Sequence, residues 1–339
     1  HGGQAEDGII PEQNWNAIAH LALGVTTIHD PSNDATEIFP ASELQRAGKI
    51  LAPRIFSTGD VVYGAKAPGF FSEISTYDDA LAHVRRLKAQ GAHSIKNYNQ
   101  PRRDQRQQVV AAAIAENMTV VAEGGSLFTM DMSIIADGNS TLEHNIPQAV
   151  LYEDVLSFFS QTKVAYTPTL VVTYGGLAAD PYWRYATDVW THPILSRHVP
   201  PHILQPNNVR RTKAPDEDFV DRSSAREAKK LAGRGVMVSI GAHGQEEGLG
   251  SHWEMWSFVR GGMSPLEALK TATVTPATAL GYIKDVGTLE AGKLADVLVV
   301  DGDVVADISL LEDRSRFIAV MQGGIVKAGR MMENQRADP

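Results

Sequence analysis

The chain has 339 residues, of which 43% are hydrophobic and 21% are charged, so it can bury a full core and is neither disordered nor fibrous. Its formal net charge of −9, without a basic stripe, argues against a nucleic-acid partner. No apolar run approaches the roughly 18 residues that a membrane span needs. The absence of cysteine excludes disulfides and thiolate ligands, which leaves histidine, carboxylate and modified lysine as candidate metal ligands.

Short β-rich segments alternate with helical segments over most of the chain. Strands are predicted at residues 25–30, 54–60, 94–98, 119–123, 140–144, 164–172 and 236–243. Helices are predicted between them, notably over residues 77–90 and 102–117, where apolar residues recur at helical spacing. Repeated βα units build a parallel sheet, so the sequence predicts an α/β fold of the TIM-like (β/α)8 barrel type. With seven strands found, we expect the first strand to precede His1 in a longer polypeptide.

The C-terminal part departs from this regular spacing. Residues 174–222 form a segment too long for an ordinary loop, and we predict a lid or side wall over the barrel mouth. A helical stretch after Ser264 and Pro265 leads to further strand-like residues at 297–300 and 317–328. We therefore predict two domains, a barrel over residues 1–284 and a small β-rich domain with the C-terminal tail over residues 285–339.

Lys96 lies in the middle of a predicted strand that otherwise has the composition of a buried one. Lysine is seldom buried without a partner. One chemical reason for such a lysine is that its neutral amine can react with CO2 to form a carbamate, whose two oxygens can bridge two metal ions. The alternative is a strand-end lysine that extends to solvent or pairs with a carboxylate.

Polar residues also lie at the C-terminal ends of other predicted strands. Glu123, His144 and His243 occupy such positions, and His1 follows the place expected for the first strand. In a barrel these strand ends converge on one mouth. Each histidine alone could be a hydrogen-bonded core residue, and Glu123 alone could cap a helix. Their equivalent places in successive βα units favour a shared site.

Several segments resemble the amidohydrolase superfamily, and together they cover nearly the whole chain. They are residues 24–27 with Asp30, Ile95 with Lys96, Glu143 with His144, residues 168–170 and residues 287–296. The last segment, Gly-Thr-Leu-Glu-Ala-Gly-Lys-Leu-Ala-Asp, is the most specific and resembles the return of the chain into the family's small β-sandwich. The resemblance is to the imidazolonepropionase and prolidase-like branch. Residues 241–245 and 252–254 resemble a subgroup often joined to an N-terminal β-propeller.

This resemblance implies a TIM-like barrel lacking its first strand, with a partial C-terminal β-sandwich. It also implies a metal-dependent hydrolase that acts on amide, cyclic amide or dipeptide C–N bonds through a metal-activated water. His1 matches the second half of a His-x-His metal pair, Lys96 matches the lysine that is carbamylated and bridges two metals, and His144 matches a histidine ligand.

Two positions differ from the family pattern. The family has a histidine ligand in the strand that here contains Val121, and Glu123, which shares the strand parity of Val121, could supply an oxygen ligand instead. The family's aspartate ligand and base in the last strand is replaced by His243, which can ligate a metal or act as a base. We expect one or two divalent ions. Zinc suits these nitrogen and oxygen donors, while manganese, iron and nickel stay open.

Substrate contacts are expected from residues near the mouth. Tyr98 shares strand parity with Lys96, and Arg102 and Arg103 open the next helix, so the three could bind a substrate carboxylate. The two arginines could equally be solvated helix residues. His252 is a further candidate for the pocket, together with neighbouring tryptophans that could instead belong to the core.

Two other functions stay open. The chain could be a catalytically degraded barrel that serves as a binding module, or a lyase or isomerase that needs no activated water. The hydrolase interpretation predicts a small-molecule or short-peptide substrate, no nucleic acid and no membrane span, and leaves a homo-oligomer open. The resemblance implies a missing N-terminal segment or β-propeller and favours the periplasm over the cytoplasm, although the residues themselves leave the compartment undecided.

Overall fold

The fold is described from a computed structural model, which covers residues 9–67, 69–209 and 211–332. His1 lies outside these ranges. Within them, no helix is both long and apolar enough to cross a membrane.

Parallel strands form the centre of the molecule. β1 (Thr27–Asp30) pairs with β2 (Arg54–Ser57). A parallel sheet of six strands follows, in the order β4-β3-β5-β6-β7-β8. Its strands are β3 (Val61–Tyr63), β4 (Phe71–Glu73), β5 (Ser94–Asn97), β6 (Thr119–Glu123), β7 (Thr141–Glu143) and β8 (Ala165–Thr167). A parallel bridge from Tyr166 to Val238 continues the sheet, as the predicted α/β barrel requires.

The strand predicted at residues 236–243 is present only as the bridge at Val238, and two further predicted strands differ from the observed ones. The strand predicted at residues 54–60 is interrupted by a turn at Gly59, whose φ is +64°, and β3 beyond it pairs with β5 through Val62 and Asn97. The strand predicted at residues 164–172 ends at Thr167, because Thr169 adopts a φ of 51° and the chain then forms a 3-10 helix. Both differences come from residues in the left-handed region, where regular pairing ends.

Helices surround the strands and supply the outer layer. Their bounds are α1 (Trp15–Ala22), α2 (Ala35–Arg46), α3 (Tyr77–Gln90), α4 (Arg103–Ala115), α5 (Phe128–Ala136), α6 (Glu153–Ser160), α7 (Ala179–Ala186), α8 (Leu195–His198), α9 (Pro201–Leu204), α10 (Pro206–Val209), α11 (Asp221–Gly233), α12 (Leu249–Arg260), α13 (Pro265–Thr271) and α14 (Val274–Ala279). α3 has the predicted bounds because a capping box between Thr76 and Asp79 starts it and the left-handed Gly91 ends it.

The segment predicted as a lid or side wall contains α7 to α10. Its first residue, Tyr174, donates its backbone N–H to Asn145 Oδ1 at 2.6 Å, which ties the segment to the loop after β7. Farther along, the Trp183 ring packs edge-on against Trp256 of α12, with ring centroids 5.1 Å apart. The segment is therefore anchored at both the strand ends and the outer helices.

A separate antiparallel sheet lies near the C-terminus. Its strands are β9 (Val297–Val300), β10 (Phe317–Gln322) and β11 (Ile325–Ala328), in the order β11-β10-β9. Asp296, the last residue of the segment 287–296, accepts from Arg54 Nη1 at 2.7 Å at the start of β2. Gln322 Nε2 donates to Thr26 O at 2.8 Å. These contacts fasten the small sheet to the beginnings of β1 and β2, while the domain boundary at residues 284 and 285 stays a prediction.

Two apolar cores hold these layers together. One packs β6 to β8 against α5, α6, α11 and α12 and includes Leu142 and Trp253. The other packs β2, β3 and β5 against α2 to α4 and includes Val62 and Ile95. β5 and β6 join the two cores, and their C-terminal ends carry the polar residues described next.

Candidate active site

Three of the predicted site residues lie together at the ends of neighbouring strands. Lys96 Nζ of β5 forms an ion pair with Glu123 Oε2 of β6. The second oxygen, Glu123 Oε1, lies 3.0 Å from His144 Nε2, directly after β7. The side chains of Lys96 and Glu123 are only 2% and 12% exposed, so the pair is nearly removed from water.

The strand register explains this arrangement. Lys96 lies opposite Val121, and Glu123 is two residues farther along β6 on the same face of the sheet. The long lysine side chain reaches that carboxylate. The turn after Glu123 requires a glycine, because a Cβ at Gly124 would lie 2.4 Å from Glu143 O. His144 adopts a φ of 70° as it leaves β7, a conformation uncommon outside glycine that often marks functional sites.

Opposing effects set the charge of Glu123. Burial alone would raise its pKa, but the charge of Lys96 and the hydrogen bond and charge of His144 outweigh burial and hold the pKa of Glu123 well below its usual range. Nearby Glu143 differs, since burial raises its pKa despite the charge of Lys96. The Glu123 carboxylate therefore stays ionised at the end of β6.

Aromatic rings contact one another in this part of the molecule. The His144 ring lies with its centroid 5.3 Å from that of His243 and 5.5 Å from that of Tyr174. Tyr98 contacts Tyr63 edge-on at 5.5 Å. Burial first, and then the charge of Glu123, raises the pKa of both Tyr98 and Tyr174, so both phenols stay protonated donors. The sequence indicated Tyr98 through strand parity, whereas Tyr63 and Tyr174 were not predicted as site residues.

His29, which lies near Lys96, was likewise not predicted as a site residue. Its Nε2 lies 2.8 Å from Ser94 Oγ, two residues before Lys96 on β5. Burial is the main cause that lowers the pKa of His29 to about 4, so the ring is neutral near pH 7. The sequence feature that could have indicated His29 is its position one residue before the end of the first predicted strand.

The other predicted site residues have different surroundings. Arg102 and Arg103 have exposed side chains at the start of α4, where they pair with Asp104 at 3.1 Å and Asp137 at 2.7 Å. His252 is buried, and its Nε2 lies 2.9 Å from Leu23 O, after α1. These positions do not bring the three side chains to the carboxylate of Glu123, and their contact with substrate stays a prediction.

Trp253 and Trp256 are likewise part of the buried core. His243 is exposed, with Nδ1 3.3 Å from Gln245 Oε1.

The donors are of types that suit a divalent metal. Glu123 offers carboxylate oxygens and His144 offers imidazole nitrogens, and the buried His144 Nδ1 has no hydrogen-bond partner. In residues 9–67, 69–209 and 211–332, however, no three His, Asp or Glu side chains lie close enough to form a metal-binding group. A third ligand would therefore have to come from Lys96 after modification, from movement of His243, or from residues outside these ranges.

A parallel α/β core with an attached antiparallel sheet is a fold that solved structures also contain. The structure of a Xaa-Pro dipeptidase with bound methionine in the active site superposes with a TM-score of 0.67 at 21% identity, over 92% of this chain and 77% of that one. Residues 189–327 match the amidohydrolase family.

Two curated relatives match shorter segments. An imidazolonepropionase from Shouchella clausii is 35% identical over 79 residues, which is 22% of this chain and 18% of that protein. An imidazolonepropionase from Symbiobacterium thermophilum is 51% identical over 39 residues, which is 12% of this chain and 9% of that protein. The matches thus span less than a fifth of either relative. These two segments are similar to imidazolonepropionases, and the fold as a whole is similar to that of a Xaa-Pro dipeptidase.

Proposed function

We propose that the protein is a metal-dependent hydrolase that cleaves C–N bonds of amides, cyclic amides or dipeptides with a metal-activated water. The observation that carries the proposal is the convergence of Lys96, Glu123 and His144 at the C-terminal ends of three adjacent strands. Active sites of barrel enzymes form at this end of the strands. The names of the similar proteins, an imidazolonepropionase and a Xaa-Pro dipeptidase, agree with this class of reaction.

The ligands of the proposal come from this group. Glu123 and His144 would hold one or two divalent ions, most suitably zinc, together with His243 and carbamylated Lys96, and His1 is the predicted ligand outside the described residues. A bound divalent metal lowers the pKa of its water to roughly 7 in favourable cases and polarises the scissile carbonyl.

Charge couples the modification of Lys96 to the metal. As an ammonium, Lys96 neutralises Glu123. Carbamate formation requires the neutral amine to attack CO2, forming an N–C bond and releasing a proton, and it leaves a second anion beside Glu123. Two adjacent buried anions repel each other unless a cation compensates them. We therefore expect carbamylation and metal uptake to occur together.

The remaining residues would bind substrate and move a proton. Tyr98 and Tyr174 keep their phenolic protons and can donate hydrogen bonds to a substrate carbonyl or carboxylate. Where His243 does not ligate a metal, its ring, which lies edge-on to His144, could instead take the proton of the attacking water as a general base. A small molecule or short peptide is the expected substrate.

A second candidate is a non-catalytic binding module on the same scaffold. The observation in its favour is that Lys96 and Glu123 already satisfy each other as an ammonium and carboxylate pair, with no group of three carboxylate or histidine donors in the described ranges. In that case the site would need neither metal nor CO2.

Metal analysis and mass spectrometry separate the two candidates. The hydrolase should hold a stoichiometric divalent metal and carry the added mass of CO2 on Lys96, and it should incorporate labelled oxygen from water into the product of cyclic amide or Xaa-Pro substrates. Lys96→Ala should lose metal and activity, and short carboxylic acids should restore both in part. A metal-free protein with unmodified Lys96 and no turnover would favour the binding module, and turnover without oxygen incorporation would indicate a lyase or isomerase.

A further inference from the structure

Two neighbouring turns at the barrel mouth contain strained residues. Thr169 follows β8 with a φ of 51°, and His243 has a φ of 56°. Residues other than glycine rarely adopt this conformation, and they keep it only where surrounding contacts hold the backbone. The two turns also touch, because a Cβ at Gly241 would lie 2.6 Å from Thr169 Oγ1.

A single buried carboxylate connects these turns. Glu254 of α12 is fully buried, at 0% exposure. Its Oε1 accepts the backbone N–H of Val171 at 2.7 Å, and its Oε2 accepts the backbone N–H of Gly241 at 3.2 Å. Val171 is two residues after Thr169, and Gly241 is two residues before His243. The carboxylate therefore fixes both strained turns relative to one helix.

α12 is itself firmly held. Trp253, adjacent to Glu254, is fully buried in the core, and His252 contacts the carbonyl of Leu23 at 2.9 Å. A side chain on such a helix can hold a backbone turn in one position. At the other end of this connection, His243 faces His144 with ring centroids 5.3 Å apart.

We propose that Glu254 is a positioning residue for His243. By accepting one N–H from each turn, it holds the turn at residues 241–243 against the turn at residues 169–171, so that the His243 ring faces His144. Since Glu254 is fully buried, it acts through His243 and not on the substrate. The inference deepens the proposed function, because it concerns the orientation of a residue proposed there as ligand or base.

The main test variant is Glu254→Gln, which keeps the shape and one acceptor but presents an amide NH2 to the other backbone N–H. Glu227→Gln is the matched control, because Glu227 is also a buried glutamate that accepts a backbone N–H, from Leu151 at 2.9 Å, but it lies on α11. We expect Glu254→Gln to lower kcat about 10- to 100-fold while KM stays within about 2-fold, as misplacement of a reacting group does. Glu227→Gln should leave both constants near their wild-type values.

A double-mutant cycle with His243→Ala distinguishes positioning from general destabilisation. If Glu254 acts through His243, Glu254→Gln should reduce kcat/KM no further in the His243→Ala background. Losses that multiply in the double variant would overturn the proposal.

A second measurement does not depend on turnover. In metal-free protein with labelled histidine, the His243 ring resonance, assigned by its loss in His243→Ala, should shift in Glu254→Gln and not in Glu227→Gln. If the wild type hydrolyses no C–N bond, the proposed function fails, and the resonance alone decides the positioning role. An unshifted resonance in folded Glu254→Gln refutes it. If Glu254→Gln does not fold, Glu254→Asp takes its place, because it withdraws the carboxylate by one methylene. The double-mutant cycle with His243→Ala and the shift of the His243 resonance then decide the proposal in the same way.

Discussion

The ion pair between Lys96 and Glu123 gives a quantitative prediction for the metal-free protein. Lys96→Met would leave an ionised carboxylate beside His144 alone, and Glu123→Gln would leave an ammonium buried without its anion. The double variant removes both charges and keeps side chains of similar length. We expect each single variant to be much less stable than the wild type, and the double variant to recover most of the loss.

The magnitude follows from the burial of the pair. The side chains are 2% and 12% exposed, so water screens them little. Two unit charges 4 Å apart attract by about 4 kcal/mol at an effective dielectric constant near 20. Removing one partner of a buried pair costs about 3–5 kcal/mol, whereas replacing both with neutral groups is often close to neutral. We therefore expect a loss of about 3–5 kcal/mol in each single variant and within about 2 kcal/mol of the wild type in the double variant.

Urea unfolding of chelator-treated protein, followed by tryptophan fluorescence, measures these free energies. Arg330→Met is the control, because Arg330 pairs with Asp301 at 3.0 Å and both side chains are exposed, at 47% and 57%, so its loss should cost about 0–1 kcal/mol. Single-variant losses that simply add in the double variant would refute the coupling of Lys96 to Glu123. So would equal losses in Lys96→Met and Arg330→Met.

Three further predictions concern the strand ends and the attached sheet. If His243 serves as ligand or base, His243→Asp should retain at least about 10-fold more kcat/KM than His243→Ala. Equal losses of kcat/KM in the two variants, at unchanged metal content, would mean that the role of His243 is structural. Asp131 of α5 accepts the backbone N–H of Gly125 at 3.0 Å, and burial raises its pKa to about 7, so the folded state is destabilised as pH rises through about 4 to 7. Asp131→Asn should therefore gain stability over the wild type through that window, by about 4 kcal/mol at pH 8, and a gain independent of pH in urea titrations would contradict this cause. Asp296→Ala removes the partner of Arg54 at 2.7 Å and should cost about 3 kcal/mol in the same unfolding assay, whereas Asp301→Ala removes an exposed pair with Arg330 and should cost about 0–1 kcal/mol. Similar losses in the two variants would mean that the pair of Asp296 with Arg54 does not fasten the small sheet.

Local sequence signals predicted the parts of the fold that depend on neighbours in the chain. α3 has the predicted bounds because Thr76, Asp79 and Gly91 encode its start and end within one turn of each terminus. Strand parity likewise predicted that Glu123 faces the same way as Val121, and the strand-end positions predicted that Glu123 lies near Lys96, with which it forms an ion pair. These inferences need only the period and the ends of a strand or helix.

Tertiary contacts decided what the sequence left open. Nothing near Arg103 in the chain indicates that its guanidinium pairs with Asp137, which lies 34 residues later. The proximity of Tyr174 to His144 depends on how Asn145 ties the long segment to the loop after β7. The end of β8 depends on the left-handed turn at Thr169, which contacts a glycine more than 70 residues away. Such partners follow from the assembled barrel and not from local pattern.

The two interpretations of Lys96, carbamate and ion pair, describe one residue under two charge conditions. With Lys96 as an ammonium, the pair with Glu123 is neutral and complete. Conversion to a carbamate exchanges a cation for an anion, a change of two charges in a site that burial makes intolerant of unpaired charge. Only a divalent cation at the same place compensates that change in full. Under the proposed function, the ion pair would therefore oppose metal binding until CO2 reacts, and the carbamylated lysine would then favour it.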